Sequence, residues 1–348
     1  MGKSITVFIS LLILMVKVPS FAQTYKIQNS NVLQYNKYIN TAELLICDSL
    51  FHNALCNYDT AFKLLTDPFA IDKYNASMCA FIAGDYNKGS TYLEQLVKRG
   101  YNYKLLESNS IINLLDTNDR SNLFINLEQC SIEIDNKLKT IYDSLYIVDQ
   151  YFRKDSLYWI TNRDTLCKTD YLNGTFMSGL IYRYGFPSER SVGVSANLLS
   201  AMPWELILIH NHVKPFCNER VDFSSTILTA LEHGLIRAPK AANYLEQSIG
   251  NEIFGAGLIG LVKAEYRGID TDSIYYHVGF YNLTDNAISK INTQRKSIGL
   301  DTIEEVRRKI IFNNTNTNFI FSEGLKFVYT CSTYTEFINF VDNLSILK

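Results

Sequence analysis

The side chains best suited to chemistry in this 348-residue chain lie between positions 149 and 210. Histidine transfers protons near neutral pH, and a neighbouring carboxylate can orient its ring. An arginine can hold a carboxylate or another anionic group. The sequence therefore predicts a catalytic set in which His210 is the general base and Asp149 and Arg153 are its partners. The side chains predicted to bind a ligand are Gln150, Asp170 and Asn173.

The same residues have structural interpretations that compete with a catalytic role. Asp149 and Arg153 are four positions apart, so on a helix they share a face and could form a surface pair worth ~0.3–0.5 kcal/mol. Asp170 could cap the N-terminus of the helix that follows it. The combined alternative is an ion-pair network that only pins helix ends together.

The triplet His210-Asn211-His212 could also suggest a metal site. Histidines at i and i+2 share a face only on a strand, which residues 206–209 would have to form. On a helix they lie about 200° apart and cannot hold one ion. The pattern favours a helix end with one functional or capping histidine, and a merely packed or exposed histidine is the alternative. No metal site is predicted.

Three predicted helices must bring these groups together. The first carries an apolar stripe and ends near Asp149, and the second covers 174–184 after Asp170. The third begins at Ala196 or at Trp204 and ends at His210. Antiparallel helices joined by short loops place the end of one beside the start of the next. We therefore expect Asp149, Asp170 and His210 to meet at one end of the bundle.

The composition narrows the class of protein. Hydrophobic residues make up 47% of the chain, which allows a real core, and the formal net charge of −2 gives no basic surface for nucleic acid. Only 17 Gly and 6 Pro occur, which favours helices with short connections. No phosphate loop, G-x-S-x-G or H-E-x-x-H motif is found, so no cofactor is predicted. The sequence predicts a mainly α protein.

The N-terminal segment predicts export. Lys3 precedes an unbroken apolar run over 5–16, and small residues flank Phe21 at the expected cleavage site. Residues 1–22 are therefore interpreted as a signal peptide, with an uncleaved anchor as the alternative. No later run is apolar enough to cross a membrane, so a periplasmic or secreted location is expected.

The seven cysteines contain no C-x-x-C pair, which argues against a zinc knuckle or a thioredoxin-like site. In an exported protein one pair could be oxidised, but the sequence does not indicate which.

The predicted domain organisation follows the helical periodicity. Residues 23–130 contain two similar units, around Tyr58 and around Gly84-Asp85-Tyr86, which resemble tetratricopeptide hairpins, although a generic helical bundle is an alternative. An α-rich domain is expected over 131–312. Residues 313–348 are expected to form a β-hairpin, with strands at 319–321 and 326–329, followed by a helix.

Several short motifs occur in a fixed order in the second half of the chain. They are Asp149-Gln150-x-x-Arg153, Asp170-x-x-Asn173, Gly185-Phe186-Pro187, Gly193, His210 and Arg295-x-x-x-Gly299-Leu300. Their order and spacing over about 140–312 resemble an uncharacterised bacterial family, domain-of-unknown-function family 6624. The resemblance implies an α-rich domain whose site includes these polar residues.

The chain departs from that family at three positions. Phe186 replaces a Trp, Gln247-Ser248 replaces an Asp-Arg pair, and residues 254–257 replace Tyr-Gly-Thr-Gln. The apolar frame is kept while the family's polar groups are lost, which implies a retained fold with altered or lost chemistry. The favoured expectation is a non-catalytic module that binds a peptide or an envelope protein. The alternative is a hydrolase-like enzyme that uses His210 as its base.

Overall fold

The computed structural model describes residues 25–154, 161–212, 217–249, 252–267, 274–321 and 327–346. The chain is mainly helical and has a small four-stranded sheet near its C-terminus, which confirms the predicted fold class. The predicted signal peptide lies outside the described residues. Within those residues, no helix is both long enough and apolar enough to cross a membrane.

The first part of the chain consists of short helices packed in succession. They are α1 (Ser30–Cys47), α2 (Phe51–Ala61), α3 (Ala70–Ile82), α4 (Tyr86–Val97), a 3-10 turn (Tyr103–Ser108), α5 (Ser110–Asn113) and α6 (Thr117–Glu128). Helix α1 packs on α2, and α3 packs on α4. The α3–α4 approach is close because residue 89 is glycine: a Cβ there would lie 2.8 Å from the Phe81 ring.

The central helices carry the predicted site. They are α7 (Asn136–Tyr151), α8 (Arg163–Tyr184), α9 (Glu189–Val192), α10 (Pro203–His212), α11 (Ser224–Glu232), α12 (Ala238–Ile249) and α13 (Ala256–Ile259). Helices α7, α8 and α10 pack against one another, and each contributes a fully buried side chain: Tyr142, Met177 and Ile207 respectively. A shared apolar core thus fixes the three elements that were expected to converge.

The helix boundaries differ from the prediction in ways that local chemistry explains. Helix α7 begins after Asp135, whose carboxylate accepts from the Leu138 N–H. Helix α10 begins at Pro203, next to the Trp204 alternative and not at Ala196, consistent with the preference of proline for the first helical turn. Helix α8 extends well upstream of 174 and includes Asp170.

The C-terminal part combines helices with the sheet. The elements are β1 (Val262–Arg267), β2 (Ile274–Tyr281), α14 (Asp285–Ser297), α15 (Ile303–Thr315), β3 (Phe327–Cys331), α16 (Tyr334–Val341) and β4 (Leu344–Ile346). The strand order is β3-β1-β2-β4. Strand β1 pairs antiparallel with β2 and parallel with β3, and β4 pairs antiparallel with β2. The capping box of α15 uses Thr302 and Glu305, one residue later than the Asp301–Glu304 pattern suggested.

The predicted C-terminal hairpin is wrong. Strand β3 pairs with β1, and residues 319–321 are not a strand. Phe319 and Phe321 instead pack into the core of the N-terminal helices, where Phe319 stacks on Phe51. The Asn75 side chain bonds to both the N–H and the carbonyl of Ile320 and so holds this segment against α3. The sheet therefore combines strands from both sides of the boundary predicted at residue 312.

A buried ionic cluster joins the N-terminal helices to α12 and α15. We call it the junction cluster, and it comprises Glu43, Asp72, Arg237 and Lys309. The Lys309 ammonium lies 2.6 Å from Glu43, and the Arg237 guanidinium lies 3.2 Å from Asp72 and 3.7 Å from Glu43. All four residues are more than nine-tenths buried.

Candidate active site

Four of the predicted residues meet in one cluster. His210 Nδ1 lies 2.9 Å from Asp149 Oδ1 and 2.8 Å from Asp149 Oδ2. Arg153 Nη2 lies 2.5 Å from Asp170 Oδ1, and Nη1 lies 3.3 Å from Asp149 Oδ1. The predicted convergence of Asp149, Arg153, Asp170 and His210 is confirmed, and we call this group the site cluster.

The helices place these groups somewhat differently from the prediction. Asp149 is in the last turn of α7, Arg153 follows that helix, and His210 is in the last turn of α10. Asp170 lies in the interior of α8, so its interpretation as an N-cap is wrong. The surface-pair interpretation of Asp149 and Arg153 is also wrong, because their side chains are only 0% and 6% exposed.

Hydrogen bonds from Gln150 and Arg153 fix the position of Asp149. Gln150 Nε2 donates to Asp149 Oδ2 at 2.7 Å, and Arg153 Nη1 donates to the Asp149 carbonyl. A fixed carboxylate at Nδ1 favours the histidine tautomer that carries its proton on Nδ1, which leaves the lone pair on Nε2. The His210 side chain is 21% exposed, the most accessible member of the cluster. Asp149 and His210 therefore have the arrangement of an oriented general base.

The guanidinium of Arg153 balances the negative charge of the Asp170 carboxylate that it contacts. Burial raises the pKa of its carboxyl group, and the hydrogen bond and charge of Arg153 oppose that shift. Arg153 thus links the two carboxylates of the cluster.

Two buried hydrogen-bond donors in this region have no acceptor in the part of the chain that the structure describes. They are Arg153 Nε and Asn173 Nδ2. Asn173 is 5% exposed and follows Asp170 by three residues on α8, so the two project from the same face of the helix.

The sequence analysis missed Asn211 and Gly174. Asn211 Nδ2 donates to the carbonyls of Asp170 and Ile207, at 2.9 and 3.0 Å, and Oδ1 accepts from the Val221 N–H at 3.4 Å. A Cβ on Gly174 would lie 2.3 Å from Asn211 Oδ1, so only glycine permits this approach. The Asn211 hydrogen bond and the close packing at Gly174 together hold α10 against α8. The available signal was the position of Asn211, a polar residue at the end of an otherwise apolar helix.

The metal interpretation of the histidine triplet fails on geometry. Residues 203–212 form a helix, so positions 210 and 212 do not share a face. Ligand atoms of Asp149, Asp170 and His210 do lie within 4.8 Å of one another, a spacing that a metal ion could bridge. The Arg153 guanidinium already contacts both carboxylates, so a cation would have to compete with it.

A disulfide ties this region together. Cys167 on α8 is bonded to Cys217, which follows α10, across 50 residues of sequence. It connects the helix that carries Asp170 to the segment that follows His210.

Two of the segments that differ from the pattern of the resembled family are held by local hydrogen bonds. Ser248 bonds to Ser224 at 3.0 Å, and its carbonyl accepts from Arg220. Glu246 accepts from the N–H groups of Phe254 and Ala256 and so holds the turn that contains residues 254–257. Burial raises the pKa of Glu246 to about 7.

Comparisons of the chain with family models, curated proteins and solved structures gave no match. The functional argument therefore depends on the geometry of the site.

Proposed function

We propose that the protein is a hydrolase-like enzyme in which His210 acts as general base. The observation that carries the proposal is the Asp149–His210 pair, in which a fully buried carboxylate contacts Nδ1 of a partly exposed imidazole. A histidine held in this way can take a proton from water through Nε2, and the carboxylate stabilises the imidazolium that forms. Gln150 and Arg153 are positioning residues in this scheme, because they hold Asp149.

The experiment is a substrate screen with matched variants. We expect hydrolysis to fall by about 10²–10⁴-fold in His210→Ala and in Asp149→Asn, because each change removes or misorients the base. The control is His52→Ala, an exposed histidine on α2, which should retain full activity. Circular dichroism would verify that each variant is folded.

A spectroscopic test examines the base without any substrate. ¹⁵N chemical shifts of His210 should report a proton on Nδ1 and a free lone pair on Nε2 at a pH where the ring is neutral. A proton on Nε2 would contradict the proposal, as would hydrolysis that does not change in His210→Ala.

A second candidate function is the binding of a peptide or an envelope protein. A cleft of about 410 Å³ lies between residues 64–69, residues 188–190 and residues 233–235, away from the site cluster. Both polar and apolar groups line it, as peptide recognition requires. In Thr66→Arg an exposed residue of the cleft becomes bulky and charged, and we expect loss of any peptide that copurifies with the protein. His210→Ala should leave that binding intact, which separates the two functions.

Export and family membership are further parts of the proposal. The Cys167–Cys217 disulfide supports an oxidising compartment, in agreement with the signal-like segment over 1–22 and a periplasmic or secreted location. N-terminal sequencing of the secreted form should find a start near Gln23, whereas an intact Met1 on a membrane-bound protein would contradict export. We also propose that the chain is a divergent member of domain-of-unknown-function family 6624, since the clustered residues are those that carry the resemblance.

A further inference from the structure

Buried donors without acceptors indicate what the site binds. Arg153 Nε and Asn173 Nδ2 are hydrogen-bond donors, both are buried, and neither has an acceptor among the described residues. Native structures rarely leave such groups unsatisfied, and an explanation by function is reasonable where the groups adjoin a candidate site. Both donors fit a ligand that presents a hydrogen-bond acceptor.

One donor belongs to the site cluster, and the other lies one helical turn from it. The other two nitrogens of Arg153 contact Asp149 and Asp170, so Nε lies beside those carboxylates. Asn173 is one helical turn beyond Asp170, a rise of about 4.5 Å along α8. His210 Nδ1 contacts Asp149 Oδ1, the same carboxylate oxygen that Arg153 Nη1 contacts.

The charge of the cluster decides between a neutral and an anionic acceptor. Two buried carboxylates, Asp149 and Asp170, face one guanidinium, which leaves one excess negative charge when His210 is neutral. An oxyanion entering the site would be repelled by that charge in a poorly solvated environment. A neutral carbonyl oxygen accepts the same hydrogen bonds without this penalty.

We propose that the substrate is an uncharged carboxylic-acid derivative, an ester or an amide, whose carbonyl oxygen accepts from Arg153 Nε and Asn173 Nδ2. This inference rests on the proposed role of His210 as general base. The donors would then stabilise the oxyanion that develops during the reaction, as oxyanion-hole groups do.

The chemical step balances as a hydrolysis. His210 Nε2 takes a proton from water while the water oxygen bonds to the carbonyl carbon, and the carbonyl oxygen becomes negative. The imidazolium then gives its proton to the leaving oxygen or nitrogen as that bond breaks, which yields a carboxylic acid and an alcohol or amine. The positive charge on His210 offsets the oxyanion, so the cluster keeps its net charge throughout.

The test compares four chromogenic substrates: p-nitrophenyl acetate, p-nitroacetanilide, p-nitrophenyl phosphate and a p-nitrophenyl glucoside. Turnover is counted only where His210→Ala removes it. We expect it with the ester or the anilide and not with the phosphate or the glucoside. If it occurs only with the phosphate or the glucoside, the base role stands and this inference is overturned. If it occurs with none of the four, both are overturned.

A matched pair of variants tests the donor itself. Asn173→Ala should lower kcat for the ester by about 10²–10³-fold with little change in KM, because the donor acts mainly in the transition state. Asn126→Ala, at an exposed position on α6, is the control and should match the unmodified protein. An unchanged kcat in Asn173→Ala overturns the inference while His210 dependence persists.

A binding readout covers the case in which Asn173→Ala is poorly folded. Acetamide should shift the side-chain amide resonances of Asn173 in the unmodified protein, whereas acetate at the same concentration should not. Equal shifts with acetate and acetamide, or no shift with acetamide, would overturn the neutral-carbonyl assignment.

Discussion

The junction cluster and the site cluster are built on the same motif and differ in one cation. In each, a buried arginine contacts two buried carboxylates: Arg237 with Glu43 and Asp72, and Arg153 with Asp149 and Asp170. The junction cluster adds Lys309, which is completely buried. The site cluster adds His210, whose side chain is 21% exposed.

That difference separates a structural cluster from one that can transfer protons. The junction cluster is closed to solvent, so its charges can only hold the N-terminal helices against α12 and α15. The site cluster presents the imidazole ring of His210 at the surface. A buried arginine between carboxylates is therefore not evidence of a site by itself, and solvent access to a group that can transfer protons makes the distinction.

The largest expected effects come from removing the two arginines. Arg237→Ala removes the guanidinium that contacts the buried carboxylates of Glu43 and Asp72. It should lower the free energy of unfolding by about 3–5 kcal/mol, with unchanged activity per folded molecule. Arg153→Ala should cost less stability, because Asp149 keeps its contacts with Gln150 and His210, but should lower hydrolysis at least about tenfold. Urea denaturation and the hydrolysis assay measure the two effects. Equal stability losses with no change in activity would show that both clusters are only structural.

The second largest effect is expected from removal of the disulfide. This bond links two segments that both belong to the site region. The double variant Cys167→Ser/Cys217→Ser should lower the free energy of unfolding by about 2–5 kcal/mol, since closure of the loop no longer restricts the unfolded chain. Hydrogen exchange should increase in α8 and α10 and stay unchanged in α1 and α3. Uniformly increased exchange would contradict a local role for this bond.

Glu246 is a third buried carboxylate, and backbone N–H groups, in place of a cation, donate hydrogen bonds to it. Burial raises its pKa from the ordinary value of 4.5 to about 7, so between these pH values the folded state holds a proton that the unfolded state has released. The stability supplied by the protonated group is therefore lost as the pH rises through this window, by at most about 3 kcal/mol.

Glu246→Gln cannot ionise and should flatten that part of the pH profile of unfolding. The readout is the slope between about pH 4.5 and 7 and not the absolute stability, because the amide also loses one acceptor. An unchanged slope would mean that Glu246 does not titrate in this window.

The smallest expected effect concerns a second i,i+4 pair on α7. Lys139 and Asp143 lie 2.5 Å apart, but each side chain is 38% exposed, in contrast to Asp149 and Arg153. Lys139→Ala should change the free energy of unfolding by less than about 0.5 kcal/mol and leave hydrolysis unaffected. A loss of more than 1 kcal/mol would mean that the spacing, and not the burial, determines the strength of such pairs.

Local patterns predicted the helical elements and the candidate residues well. The apolar periodicity indicated α7, and the polar residues at its end were correctly expected to meet Asp170 and His210. The structural interpretation of a single residue was wrong where its role depends on the surrounding tertiary structure. Asp170 looked like an N-cap because the upstream part of α8 is polar, and helix propensity alone does not extend a helix across such residues.

The sheet was the least predictable feature. Ile320 has the local composition of a strand residue, yet its backbone bonds to Asn75, a partner 245 residues away. Strand β3 pairs with β1 in parallel, whereas a hairpin rule can only propose a neighbour in sequence. Propensity describes whether a segment can be extended and contains no information about which partner packs against it.

The sequence by itself determined the helical class of this protein and the side chains that could do chemistry. Both depend on periodicity and residue type within a few turns of chain. Only the tertiary structure decided that His210 contacts Asp149 across 61 residues, that Asn211 locks onto the Asp170 carbonyl, and that Arg237 belongs to a closed cluster. Those outcomes depend on how helices pack and on which groups lose access to water, and neither is encoded in a local pattern.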